Sequence, residues 1–266
     1  METEVHVYAF AVAASVLLSL FPFLNVILSL CRHVLHWNAA AEAVYLALSD
    51  FFPGQVGDFI RYNVMVSVRD RRFQIGSLVL LLFVANGVFE PLEVALNRAW
   101  GVTRNRPYWR NQIVSLGLIF VCGTLALLSM MFTALNYGMW PQLLGENSPF
   151  VETLGLVFFK MVAIPLTMLT LFLVYWLLPN RKIPPLRVVP AAVFVGLALE
   201  LLKYVNLLLW PLVQVKLQHE YGPFYYSAFI VLSSFFAAML VLAGAEWSAR
   251  GRPGDCAPPG KSVDSI

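Results

Sequence analysis

The chain has 266 residues, of which 59% are hydrophobic and only 12% charged, with a formal net charge of +3. Soluble domains carry roughly 25% charged residues, so there is about half the charge needed to wet a globular surface, and the chain reads as an integral membrane protein. The small positive balance suits loops beside anionic lipid rather than a nucleic-acid-binding face.

Six apolar runs follow in order: Val7 to Cys31, Ile75 to Leu96, Ile113 to Leu135, Thr153 to Leu178, Val189 to Val213 and Gly222 to Trp247. Each reaches the about 20 residues that a spanning helix needs, and runs this continuous exclude the alternating strands of a barrel. The expectation is an all-α integral membrane bundle of six transmembrane helices over residues 1–250. The first run has no Lys or Arg before it and no small-residue cleavage site after it, so it reads as a retained span. The tail 251–266, with Pro253, Pro258 and Pro259 among small polar residues, is expected to be disordered.

Cytoplasmic loops hold the excess of Lys and Arg. Arg98, Arg104, Arg106 and Arg110 follow the second run, Arg181, Lys182 and Arg187 follow the fourth, and Arg250, Arg252 and Lys261 follow the sixth. The opposite connections hold only Lys216, which puts both termini in the cytoplasm. The segment Arg32 to Gln74 dissents, with five arginines on the outer side, but at this length the charge rule weakens.

That first external loop is predicted to be partly helical. Ala39 to Phe52 and Val56 to Val68 are apolar-rich pieces split by Pro53-Gly54, and Val56, Phe59, Ile60 and Val64 share a helical face. They read as a helical hairpin that lies on the membrane or covers the bundle entrance.

The polar residues inside apolar runs are the candidates for function. Glu200 and Lys203 fall near the centre of the fifth run, three residues apart on one face, and Asn206 extends the stripe. A charge at the bilayer centre costs about 2.5–3.5 kcal/mol on insertion scales, so the two form a structural ion pair or line a polar pathway. In the second run Asn86, Glu90, Glu93 and Asn97 follow i, i+4, i+7 and i+11, a polar face that could meet Lys203 or Lys160. Glu93 alone is expected to reach the interface and pair with Arg98, and Glu246 to pair with Arg250. Pro22, Pro165 and Pro211 interrupt spans and permit kinks. Arg104, Arg106, Trp109 and Arg110 form a basic, aromatic loop suited to gripping lipid headgroups.

Catalytic patterns are missing. His6, His33, His36 and His219 lack metal-ligand spacing, the three cysteines are scattered, and neither a Gly-x-Ser-x-Gly elbow nor a phosphate-binding glycine loop occurs. The sequence therefore predicts no catalytic residue, no metal and no cofactor.

Several words along the chain carry a likeness: Ser19-Leu20-Phe21-Pro22, Ala95 to Trp100 followed by Arg106-Pro107-Tyr108-Trp109-Arg110, Leu178 to Pro184, Glu200-x-x-Lys203, Tyr221-Gly222-Pro223 and Gly244-Ala245-Glu246. In this order they resemble the YihY/BrkB family. The resemblance implies a six-helix bacterial inner-membrane protein of unsettled activity, for which transport is the usual supposition. It also implies membrane lipids and a small or lipid-linked solute as partners. Two functions follow as expectations. One is a transporter or flippase-like permease for an amphipathic or anionic solute; the other is a non-catalytic scaffold for envelope proteins.

Overall fold

The structure, a computed structural model, describes residues 5–34, 36, 41, 44, 45, 48, 51–68, 71–102, 107, 109, 110, 113–125, 128 and 164–249. The elements among them are helices, with no strand. In chain order they are α1 (Val5–Ser29), which widens into a π-helical turn at Leu30–Val34, α2 (Gln55–Val68), α3 (Arg71–Ala99), α4 (Ile113–Leu125) and α5 (Ile164–Leu177). Then come α6 (Pro185–Tyr221), a 3-10 turn at Gly222–Phe224 and α7 (Tyr225–Ala249).

Two stretches among the described residues are long and apolar enough to cross a membrane, Val5–Arg32 and Pro185–Ala249. The second holds two helices, because Gly222 takes φ +52, a left-handed conformation that ends α6 before Pro223 can break it. At 37 residues α6 is about 55 Å long, well beyond the about 30 Å of a hydrocarbon core. It starts with Pro185 at its first turn, where the missing N–H costs nothing, and it continues through Pro190 and Pro211. Helix α1 likewise continues through Pro22, and Pro165 is the second residue of α5. Much of the third and fourth apolar runs and the tail 251–266 lie outside the described residues.

Helix α1 packs against α3 and α7, and α7 packs against α6 on its other side. Helices α6 and α7 are antiparallel, and two contacts fix their register. A Cβ on Gly244 would collide with Val195 and lie 2.9 Å from the Tyr175 hydroxyl, so only glycine admits this approach. Fifteen residues further along α6 and fifteen back along α7, Trp210 meets Phe229 edge to face at 4.8 Å. Tyr175 donates from its hydroxyl to the Val241 carbonyl at 2.7 Å and ties α5 to the same place.

Two apolar cores result. One lies where α1 begins and α3 and α7 end, and contains Ala9, Val12, Leu96, Leu178, Val195 and Leu242. We call this the basic end, since Arg98, Arg181 and Arg187 belong to it. The other lies at the hairpin end and joins Leu24, Ile27 and Leu28 of α1 to Trp210, Tyr225, Phe229 and the hairpin itself. Between the cores is a waist, where no residue is buried over 14–21 of α1, 197–209 of α6 or 231–237 of α7.

The hairpin covers the bundle rather than lying apart on a lipid surface. Ala41, Val44, Tyr45 and Leu48, spaced for one helical face, are buried in the hairpin-end core with Val56, Ile60 and Val64 of α2. Phe59, from the same predicted face, is part exposed and stacks on Tyr226 at 4.5 Å.

Candidate functional site

The α6–α7 register sets Lys203 opposite Phe236 and Glu200 opposite Met239, on either side of the midpoint of α7. The charged pair therefore sits at mid-depth in the bundle, inside the waist. The Lys203 ammonium lies 2.6 Å from Oε2 of Glu200, a charge-assisted contact that the i, i+3 spacing makes available without bending the helix. Neither group is sealed, with side-chain exposure of 24% for Lys203 and 16% for Glu200. Asn206, one turn on, is partly exposed and stands at the level of Ser233.

A third partner comes from the hairpin. The Lys203 ammonium lies 4.6 Å from the centroid of the Phe51 ring, within reach of a cation–π interaction. Phe51 stands at the hairpin tip, beside the turn Pro53-Gly54, where Gly54 takes φ +59. A Cβ on Gly54 would come to 2.8 Å from Nε1 of Trp210, so the turn needs glycine for its backbone and for its closeness to α6. The hydroxyl of Tyr225 donates to Oε1 of Gln55 at 2.7 Å and anchors the start of α2. The hairpin tip thus reaches inward to the level of the charged pair.

The polar face expected on α3 divides. Glu90 is exposed, the ion pair described for Lys203 is with Glu200, and the Asn86 side chain lies outside the described residues. Glu93 does not reach the interface as expected: it is only 4% exposed, and Oε1 accepts from Nδ2 of Asn97 at 3.4 Å. Around it Leu92, Ala95, Leu96 and Asn97 are also buried, whereas Val94 and Arg98 on the other side of the helix are exposed. Asn97, 3% exposed, in turn accepts the Asn180 backbone N–H at 2.7 Å through Oδ1. Arg181 donates through Nη1 to the Trp100 carbonyl at 3.1 Å, and Trp176 donates through Nε1 to the Ile183 carbonyl at 3.1 Å. These bonds bring the words Ala95 to Trp100 and Leu178 to Pro184 together, a node that composition and spacing alone do not reveal.

Of the basic loop, Trp109 is 77% exposed and Arg110 is exposed, whereas Arg104 and Arg106 lie outside the described residues. Arg98 donates through Nη1 to the Tyr8 hydroxyl at 3.4 Å. Among the described residues no three of His, Cys, Asp and Glu gather as a metal site.

The family model described as Virulence factor BrkB matches residues 1–253. The chain belongs to the virulence factor BrkB family. This BrkB-family chain is also similar to a UPF0761 membrane protein of Acinetobacter baylyi, with 26% identity over 255 residues. The match covers 91% of this chain and 57% of that relative, so the chain spans little more than half the length of the curated protein it matches. No solved structure matches. The family and the long apolar helices together make this a helical membrane protein.

Proposed function

We propose that this BrkB-family protein is a permease or flippase-like transporter in a bacterial inner membrane, with six spans and both termini in the cytoplasm. Its solute is amphipathic or anionic, lipid-linked solutes included, and crosses along the waist past Glu200, Lys203 and Asn206. The observation that carries the reading is a charged pair at mid-depth in a layer where three helices bury nothing. Charges at this depth are costly unless they serve a pathway or a partner. An ammonium whose carboxylate partner is on the same helix can exchange that partner for the phosphate or carboxylate of a passing solute without moving the helix. Glu90, exposed on α3, is a further acidic group open to such a solute.

The closed 2.6 Å contact favours a second reading, a scaffold for envelope proteins in which the pair only braces α6. Purified protein in vesicles, given headgroup-labelled lipids and soluble organic anions, separates the two. Transport predicts protein-dependent flux that Glu200→Gln and Lys203→Met abolish while the variants remain folded and inserted. The scaffold predicts no flux above empty vesicles for any of them.

A further inference from the structure

The contact between Glu200 and Lys203 restricts what the waist can accept, because the two charges cancel. A solute anion that draws the Lys203 ammonium away leaves the Glu200 carboxylate alone at mid-depth, where an unpaired charge is costly. The place that the ammonium vacates is itself built for a cation. Oε2 of Glu200 lies 2.6 Å from it, and the Phe51 ring is centred 4.6 Å from it. A carboxylate beside an aromatic face suits any ammonium, and the 2.6 Å contact asks for one with an N–H to donate. Phe51 is half-exposed and neither charged group is sealed, so the place can be reached without opening a core. Lys203 carries its charge on a flexible four-carbon stem and can turn to a neighbouring anion while α6 stays where it is.

We infer that the waist prefers a zwitterionic solute, one whose head carries a phosphate or carboxylate and, a few bonds away, a primary ammonium. The solute anion takes Lys203, and the solute ammonium takes the place between Glu200 and Phe51. Two ion pairs then replace one, and no charge is left alone. A purely anionic solute strands Glu200, and a purely cationic one strands Lys203. Phe51 belongs to the same selection, since an anion that moves Lys203 off the ring leaves the ring without a cation, whereas a zwitterion refills it. This inference rests on the transport reading and names the substrate class for it.

The test uses the purified full chain, in vesicles for flux and in detergent for binding. Four probes separate charge from source: phosphatidylethanolamine and phosphatidylglycerol labelled on an acyl chain, so that the headgroups stay native, and their chain-free counterparts glycerophosphoethanolamine and glycerophosphoglycerol. The zwitterion should cross about tenfold faster than the anion of its pair, and the pair that crosses, lipid or chain-free, names the source. In detergent, the dose dependence of thermal stabilisation reads the same preference in variants that no longer transport. Glu200→Gln removes the carboxylate that an anion would strand, so phosphatidylglycerol should then bind at least as well as phosphatidylethanolamine. Phe51→Leu keeps an apolar side chain but removes the ring face, and should narrow the preference about two- to fivefold, chiefly by strengthening the anion. Anions that cross as fast as zwitterions would overturn the inference and leave transport standing. Anion flux that carries protons would do the same, because a proton on Glu200 would then stand in for the solute ammonium. A preference that Glu200→Gln leaves unchanged would also overturn it, and no flux of any probe would overturn both the inference and the transport reading.

Discussion

The side-chain amide of Asn97 joins two segments far apart in sequence, accepting the Asn180 backbone N–H at 2.7 Å through Oδ1 and donating through Nδ2 to the buried Glu93 at 3.4 Å. This bond fixes the loop that leads into α6, and α6 carries the charged pair. The end of α3 thereby sets where Lys203 starts its course through the bundle.

Asn97→Ala leaves the Asn180 N–H and the Glu93 carboxylate each short of a partner, at a cost of about 1–3 kcal/mol for a buried group so stranded. A clear fall in melting temperature in detergent is expected. Asn97→Asp keeps the acceptor for Asn180 but replaces the donor to Glu93 with a second carboxylate, so it should be no more stable than Asn97→Ala at neutral pH. Wild-type melting in both variants would show that the bond does not hold the loop.

Gly54→Ala tests the hairpin turn. The new methyl group would press on Trp210 in a backbone conformation that costs about 1–2 kcal/mol for any residue with a Cβ. Trp210→Phe shortens the obstructing side chain but also weakens the core. The double variant should therefore lose less stability than the sum of the single losses, and a thermal-denaturation cycle reads the difference. Additive losses would place the strain elsewhere.

Glu200→Gln and Lys203→Met should likewise couple. Each alone leaves one charge at mid-depth without its partner, whereas the double change leaves none. Membrane level and thermal stability of the four proteins form the cycle, and the double variant is expected to be closer to wild type than the worse single variant. Purely additive effects would show that the contact of 2.6 Å contributes nothing.

The expected orientation is checked by single cysteines placed after Cys31, Cys122 and Cys256 are replaced by serine. Lys182→Cys and Glu220→Cys stand at opposite ends of the bundle, both exposed. An impermeant maleimide added to intact cells should label Glu220→Cys alone, with Lys182→Cys labelled after lysis. Labelling of both from the same side would break the six-span arrangement.

Much of the helical fold was legible because lipid demands it: a run such as Val7 to Cys31 can satisfy its backbone only as a helix, and α1 covers Val5–Ser29. The i, i+3 spacing of Glu200 and Lys203 was equally readable, since both partners lie on one helix. What stayed hidden depends on long-range packing. Glu93 was expected at the rim because its neighbour Arg98 is basic, yet burial is decided by how α3 leans on the loop at Asn180, 83 residues away from Asn97. Phe51 gave no signal of its own, because an aromatic beside a turn is common and only the hairpin's inward reach sets it over Lys203.

The central claim, that the waist is a route for solute, is tested most directly by aqueous access to Asn206. In the cysteine-replaced protein, Asn206→Cys is exposed to a membrane-impermeant methanethiosulfonate reagent, with Leu208→Cys, on the strongly exposed apolar side of α6, as the lipid-facing control. The account predicts that Asn206→Cys reacts, that the reaction slows when a transported anionic amphiphile is present, and that Leu208→Cys stays unmodified. An Asn206→Cys that stays as unreactive as Leu208→Cys, in protein whose Glu220→Cys counterpart labels fully, would contradict it.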